Sequence, residues 1–113
     1  MEDSTKEVTI DEFRKLEVRV GTVVDVSRVP RTEKLYKVIV DLGEYGKKQT
    51  ITGLVGHYST EELLNKRIAF VCNLKEAKFG GQLSQGMLLA ASADKMLSLL
   101  TIDRDITNGA RVS

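Results

Sequence analysis

Cysteine and histidine are almost absent from this sequence, which contains only Cys72 and His57. A single cysteine cannot form an internal disulfide, and Cys72 ends the apolar run 68–72, where we expect it to fill the core. His57 has no second histidine or cysteine placed to share a metal ion with it. The sequence therefore predicts no disulfide framework and no metal site.

Long apolar runs are also missing, since none exceeds about five residues and a membrane-spanning helix needs about 20. Residues 1–7 are charged and polar and lack the apolar segment of a secretory signal. At 113 residues, 42% of them hydrophobic, the chain has the length and composition of one soluble globular domain. We expect a single cytoplasmic domain over residues 1–113, with residues 1–8 as a flexible tail and residues 93–113 as a C-terminal extension.

No arrangement of residues typical of an enzyme is present. Ser84 has no base placed to activate it. Cys72 lies within a predicted strand, unlike the partly exposed, electropositive setting of a reactive thiolate. The glycines at 80, 81 and 86 have neither the spacing nor the context of a phosphate-binding or dinucleotide-binding loop. The sequence therefore predicts a binding protein that is not an enzyme.

Hydrophobic periodicity predicts mainly β-structure. The predicted strands cover residues 16–26, 35–42, 47–54, 67–74 and 86–92. Capping boxes at Thr9 and Ser59 predict two short helices, and Gly21 predicts a bulge or bend within the first strand. Five strands in this order, with a short helix between the third and the fourth, predict an all-β OB fold, a five-stranded Greek-key barrel. A six-stranded roll and an SH3-like barrel are the alternatives.

The net charge of +1 and an aromatic content of 5% predict neither an overall positive field nor extended base stacking. Any nucleic-acid binding must therefore come from local clusters. Two groups of basic residues flank predicted loops, namely Arg28, Arg31, Lys34 and Lys37 in the first and Lys75 and Lys78 in the second. In an OB barrel these two loops border one ligand face, so we expect the groups to converge. Each group alone is equally typical of a solvated surface.

The segment 73–91 carries the most information. Between two apolar runs it holds two lysines, the aromatic Phe79, a Gly-Gly pair and small polar residues. Glycines allow close backbone approach, lysines attract phosphate, and Phe79 offers a flat face on which a base can stack. Judged by composition alone, the same segment is typical of a long hairpin loop.

The amino-acid sequence of this segment closely resembles the signature of the tRNA-binding domain family. Residues 73–91 read N-L-K-x-x-K-x-G-G-x-x-S-x-G-M-L-L-A-A. Residues 16–21 resemble the family's D-L-R-V-G opening, residues 30–36 its H-P-x-A-D-K-L-Y turn and residues 52–54 its S-G-L, all in the family's order. The family includes free-standing structure-specific tRNA-binding proteins and the C-terminal appendage of methionyl-tRNA synthetases. The resemblance covers nearly the whole chain.

The resemblance implies an OB fold, non-catalytic binding of tRNA by its shape and phosphate backbone, and no cofactor. Asn73, Ser84 and Met87 match motif positions that the family uses in tRNA contact. A strand-end hydrogen bond is the alternative role for Asn73, and core packing is the alternative for Met87. The predicted RNA-binding residues are Arg31, Lys34, Lys37, Asn73, Lys75, Lys78, Ser84 and Met87.

The resemblance also implies a homodimer in which the N-terminal helix and the C-terminal segment supply the interface. Leu97, Leu99, Leu100 and Ile102 follow the predicted barrel strands without an evident place in so small a core, which favours the same interface. Methionyl-tRNA synthetase is a further predicted partner, with this chain as its accessory or beta subunit. The alternative function is that of a CsaA-like dimeric secretion chaperone, which binds unfolded polypeptide in an apolar groove.

Overall fold

The computed structural model describes residues 6–113, and the first five residues of the predicted tail 1–8 lie outside this range. Two short helices are present in it, α1 (Ile10–Arg14) and α2 (Thr60–Leu63), with a 3-10 turn at Gly43–Tyr45. The strands are β1 (Val18–Arg28), β2 (Tyr36–Asp41), β3 (Lys47–Thr52), β4 (Arg67–Val71), β5 (Ala77–Phe79), β6 (Gln82–Ser84), β7 (Met87–Leu88), β8 (Ala90–Ala93), β9 (Met96–Leu99) and β10 (Arg111–Val112). Neither helix is long and apolar enough to cross a membrane.

Five strands form the barrel wall in the spatial order β3–β2–β1–β4–β7, and all neighbours are antiparallel. The strands β1 to β3 follow one another as a meander. The chain then passes through α2 and places β4 on the free side of β1, which is the Greek-key connection of an OB fold. The predicted all-β barrel is therefore confirmed.

The bulge in β1 does not lie at Gly21, where the sequence predicted it, but further along the strand. Its pairing with β2 shifts register between Val23 and Asp25, so the extra residue is Val24. Gly21 has a different role, because a Cβ at this position would lie 2.4 Å from Cγ1 of Val40. Glycine therefore lets β1 pack closely against β2, while the bulge follows three positions later in the strand.

The barrel interior is filled by side chains from alternate strand positions. Val38 and Val40 point inward from β2, and Ile68 and Phe70 from β4, all fully buried. Burying a side chain of this size stabilises the fold by about 1.5–3 kcal/mol. Leu63 of α2 is also fully buried and closes one end of this core.

Both predicted capping boxes are confirmed. The Thr9 hydroxyl accepts from the Glu12 N–H at 3.0 Å, and the Glu12 carboxylate accepts from the Thr9 N–H at 2.8 Å. Ser59 and Glu62 form the same pair of bonds at 3.1 Å and 2.8 Å. The two helices differ in what they bury, because α1 has no buried residue and leaves Ile10 exposed.

The C-terminal segment packs back onto the barrel. The strands β8 and β9 form a hairpin, and β10 pairs with β1. Leu99 is buried in the main core and Leu97 packs against it, so the prediction that these two residues lack a place in the core is wrong. The core reaches them because the hairpin folds over the barrel end, where the Leu99 N–H donates to the Tyr58 hydroxyl at 3.0 Å. Leu100 remains 45% exposed.

Candidate nucleic-acid interface

The turn between β1 and β2 lies directly against the β5–β6 hairpin. Residues 29–32 form a turn in which the Thr32 N–H donates to the Val29 carbonyl at 3.3 Å. Gly80 at the hairpin tip packs onto this turn, since a Cβ there would lie 3.0 Å from Cγ2 of Thr32. A cleft lined by Pro30, Arg31 and Gln82, among others, separates the rest of the two loops. The structure thus places the loops that carry the two basic groups side by side.

The β5–β6 hairpin lies where the sequence analysis expected a loop without strands. Ala77 pairs with Ser84, and Phe79 pairs with Gln82. Gly80 and Gly81 both have positive φ, at 57° and 80°, as the two-residue turn of a type I′ hairpin requires. The Gly-Gly pair was the signal that could have located this turn, but its strands of three residues are too short to show a period.

Ser84 joins this hairpin to the barrel wall. Its hydroxyl accepts from the Ile51 N–H at 3.1 Å and lies 3.2 Å from both the Thr50 hydroxyl and the Gly86 carbonyl. Only 6% of the Ser84 surface is exposed. In this structure the hydroxyl is engaged in closing the barrel between β3 and the β6–β7 segment, and its contact with RNA remains a prediction.

Two glutamines, Gln49 and Gln85, also join β3 to the β6–β7 segment. The Gln85 N–H donates to the Gln49 carbonyl at 2.8 Å, and the Gln49 N–H donates to the Gln85 side-chain oxygen at 3.0 Å. The side-chain amide nitrogen of Gln49 also donates to the Leu83 carbonyl at 2.8 Å. The sequence analysis did not single out either glutamine, because a polar residue at a strand edge gives no periodic signal. Together they fix the hairpin over β3.

A groove opens between the end of β3 and the segment 74–88, with a volume of about 330 Å³. It is lined by Thr50, Ile51, Thr52, Gly53, Leu74, Lys75, Ala77, Phe79, Ser84, Gly86, Met87 and Leu88. Phe79 is 50% exposed and Met87 is 46% exposed. Met87 therefore lies at the surface of the groove and is not packed in the core. The walls of the groove are mainly apolar, and the cationic side chain of Lys75 is part of its lining.

Asn73 ties the end of β4 to the junction between α1 and β1. Its amide oxygen accepts from the Glu17 N–H at 2.8 Å, and its amide nitrogen donates to the Lys15 carbonyl at 2.7 Å. These are strand-end hydrogen bonds, the role that the sequence analysis gave as the alternative to RNA contact for Asn73. They hold the start of the segment 74–88 in place, while contact between Asn73 and RNA stays a prediction.

The predicted phosphate-binding cations have no acidic partner among residues 6–113. Within the described part of the chain, no carboxylate lies within 4.0 Å of any of them; they are Arg31, Lys34, Lys37, Lys75 and Lys78. Lys37 is half-buried in β2, and the other four are exposed. The Lys34 carbonyl accepts from the Val55 N–H at 3.3 Å, which sets this residue beside the chain that leaves β3. Their charge is therefore available to an anionic ligand.

Arg19 forms the best-paired ionic contact in the described chain and holds the C-terminal segment. Its Nε donates to the Glu17 carboxylate at 2.8 Å, and its Nη1 donates to the Gly109 carbonyl at 2.8 Å. The guanidinium lies 3.8 Å from the centre of the Tyr45 ring. The hydrogen bond from Arg19 lowers the pKa of Glu17 below its ordinary value. This cluster is structural and belongs to neither basic loop.

The structure places Cys72 in the core and His57 at the surface. Burial raises the pKa of the Cys72 thiol, which disfavours the reactive thiolate. His57 is exposed next to α2. Across residues 6–113, no group of three histidine, cysteine, aspartate or glutamate side chains is placed to hold a metal ion.

The chain is similar to known proteins by family, by sequence and by structure. The family model "Putative tRNA binding domain" matches residues 18–111. The chain is 49% identical to a methionine–tRNA ligase of Methanococcus maripaludis over 105 residues, which cover 93% of this chain and 16% of the ligase. It therefore spans about one sixth of the length of that relative.

Two solved structures resemble the fold over nearly all of its length. A MetRS related protein from Pyrococcus horikoshii superposes with a TM-score of 0.90 at 37% identity, covering 96% of this chain and 100% of the other. The chaperone CsaA from Bacillus anthracis superposes with a TM-score of 0.86 at 25% identity, with the same coverage of both chains.

Proposed function

This chain belongs to the tRNA-binding domain family, and from that premise we propose that it binds tRNA, without catalysis, at the rim formed by the β1–β2 turn and the β5–β6 hairpin. One observation carries the proposal. The two loops that bear the basic groups pack against each other through Thr32 and Gly80, although they are distant in sequence. Their cations face no carboxylate within 4.0 Å in the described part of the chain.

Phosphate contacts position RNA without reading its sequence. Lys34, Lys75 and Lys78 act in this way in the proposed complex, with Arg31 and Lys37 as further cations at the same rim. A rigid rim contacts phosphates at fixed separations, and the folded shape of tRNA determines which of its phosphates match. Recognition therefore depends on the shape of the RNA.

The other motif residues divide into contact and positioning roles. Met87 is exposed at the groove, which supports direct contact between Met87 and RNA. Ser84 and Asn73 act through the chain they hold, because their polar atoms are already hydrogen-bonded to the barrel and to the α1–β1 junction. All three motif residues therefore belong to the proposed site, but only Met87 contacts RNA directly.

The similarity to a methionine–tRNA ligase supports a role as an accessory or beta subunit of methionyl-tRNA synthetase. The location proposed with this role is the cytoplasm. In this role the domain raises the affinity of the enzyme for tRNA. A homodimer is the form proposed for the free chain. Ile10 and Phe13 of α1 and Met96 of the β8–β9 hairpin are exposed apolar side chains that a second copy can cover.

The second candidate function is that of a chaperone for unfolded polypeptide. It is favoured by the structural similarity to CsaA and by the apolar walls of the groove. The two functions differ in their response to salt. Binding through phosphate contacts releases counterions and weakens steeply as salt rises, whereas binding in an apolar groove does not.

The test is a titration of the protein against bulk tRNA at about 50 mM and about 200 mM salt, with duplex RNA and an unfolded polypeptide as competitors. We expect salt-sensitive binding of tRNA with poor competition by the duplex. Displacement of tRNA by the polypeptide, or no binding of tRNA at either salt concentration, would overturn the proposal in favour of the chaperone.

A further inference from the structure

One side of the groove beside β3 is formed by an aromatic side chain. Phe79 lines it from the β5–β6 hairpin, and Leu74 and Met87 provide further apolar surface. Each of these three side chains is 39–50% exposed. The Gln49 side chain donates to the Leu83 carbonyl and the Ser84 hydroxyl accepts from the Ile51 N–H, so the hairpin that carries Phe79 is held in place before any ligand arrives.

The volume of the groove restricts the size of its occupant. About 330 Å³ is near the lower limit of the range of about 300–1,000 Å³ in which proteins bind small organic groups. Among the described residues, Phe79 is the only aromatic residue that lines it. Successive bases on single-strand binders stack on successive aromatic side chains. This groove therefore suits one flat ring and not a run of bases.

The charge around the groove restricts the chemistry of that occupant. Lys75 is part of the lining, and no acidic side chain of the described chain lines the groove. A nucleotide combines a flat ring with an anionic phosphate, and it complements both the apolar wall and Lys75. An apolar stretch of polypeptide complements the wall alone and leaves Lys75 without a partner.

From this combination we propose that the groove binds one unpaired nucleobase of the tRNA, stacked on Phe79, with the adjacent phosphate at Lys75. The inference rests on the proposed function and names the part of the RNA that reaches the groove. A base inside an A-form helix is stacked and paired and cannot enter, whereas bases in loops and at ends can be turned outward. The ligand is therefore a folded RNA that presents an unpaired nucleotide next to a helix.

The experiment compares three variants in a mobility-shift titration with bulk tRNA. Phe79→Ala removes the ring, Phe79→Leu keeps apolar volume without the flat face, and Tyr45→Leu alters an aromatic of similar exposure (45%) that does not line the groove. Stacking on an aromatic side chain corresponds to a loss of about 5- to 140-fold on substitution by alanine. We expect such a loss for Phe79→Ala, most of it for Phe79→Leu, and none for Tyr45→Leu. Thermal unfolding of each variant checks the fold.

Two further measurements separate the inference from the function on which it rests. Phe79→Leu is expected to leave the slope of log affinity against log salt unchanged, because it removes no phosphate contact. A short unpaired oligonucleotide is expected to compete for wild-type protein more strongly than the same sequence in a duplex.

Each outcome decides one of the two proposals. No binding of tRNA by wild-type protein overturns the proposed function. Binding of tRNA with equal affinity for wild-type protein and both Phe79 variants overturns only the base-binding groove. Full affinity in Phe79→Leu with a loss only in Phe79→Ala shows an apolar contact without stacking and also overturns the inference alone.

Discussion

The hydroxyl of Ser84 lies 3.2 Å from the hydroxyl of Thr50, and both residues are buried, at 6% and 1% exposure. Thr50 belongs to β3, and Ser84 ends β6. The Thr50 hydroxyl also donates to the Gly86 carbonyl at 2.8 Å. This contact closes the barrel and fixes the hairpin that carries Lys78 and Phe79, so a residue with almost no exposed surface is coupled to the candidate RNA surface.

Thr50→Val is expected to weaken tRNA binding although only 1% of the Thr50 surface is exposed. The substitution leaves buried partners unsatisfied, which lowers the free energy of unfolding by about 1–3 kcal/mol and frees the hairpin. Ser84→Ala is expected to have a similar effect, and the double variant should lose less than the sum of the two. The measurements are tRNA affinity and urea unfolding for the double-mutant cycle.

Thr22→Val is the matched control, because the Thr22 hydroxyl also makes a partly buried hydrogen bond, to Asn108 at 3.0 Å, away from the groove. It should lower stability and leave affinity unchanged. Additive effects of Ser84→Ala and Thr50→Val on affinity would contradict the positioning role and indicate direct contact by Ser84.

Lys75→Glu combined with Lys78→Glu is expected to lower tRNA affinity by more than about 100-fold, because each charge-assisted contact is worth about 1.5–3 kcal/mol. Both residues are exposed, so the fold should survive. Lys47→Glu combined with Lys66→Glu changes the net charge equally at positions outside the two loops and the groove lining. Equal losses in the two double variants would show that only net charge matters.

Arg31 adopts a left-handed conformation, with φ of 65°, at the third position of the turn 29–32. A positive φ costs an L-residue about 1–2 kcal/mol, and Pro30 before it gives the turn the pattern of a type II turn, which favours glycine at this position. Arg31→Gly is therefore expected to raise the free energy of unfolding by about 0.5–1 kcal/mol while weakening tRNA binding.

Arg31→Ala separates the two effects of this substitution, because it removes the charge and keeps the backbone strain. It should weaken tRNA binding as much as Arg31→Gly without any gain in stability. Urea unfolding and a mobility-shift titration measure both quantities. A glycine variant that is stabilised and binds tRNA normally would exclude Arg31 from the site.

Glu17 makes part of the stability dependent on pH. Its pKa is lowered in the folded chain, first by the hydrogen bond from Arg19, so the folded state favours the carboxylate. The resulting stabilisation is present above the pKa of the unfolded chain and is lost as pH falls through the folded pKa. Glu17→Gln should therefore be less stable than wild type near neutral pH, with the difference vanishing in acid.

Urea unfolding across this pH range measures the Glu17 effect, with Glu44→Gln as the control. Glu44 is an exposed carboxylate with no basic group within 4.0 Å in the described chain. A difference between Glu17→Gln and wild type that stays constant with pH would exclude the ionised pair as its source.

Local sequence signals located the parts of the fold that depend on neighbouring residues. Thr9 and Ser59 form both predicted caps, because a capping box is complete within four residues. The first three wall strands follow from alternation along each segment, whereas the predicted fifth strand 86–92 is divided between β7 and the first strand of the β8–β9 hairpin. The hairpin β5–β6 was missed because its strands are three residues long, and Leu99 was misjudged because its burial depends on how a distant hairpin folds back.

The sequence by itself determined the all-β barrel, the caps, the two basic groups and the family motif, since periodicity, capping and short motifs are written in contiguous residues. Only the tertiary structure decided which residues meet. It set Gly80 against Thr32, buried Ser84 against Thr50, and left Phe79 exposed beside Lys75. These contacts join segments that are distant in the chain, and the close packing that selects them has no signature within any one segment.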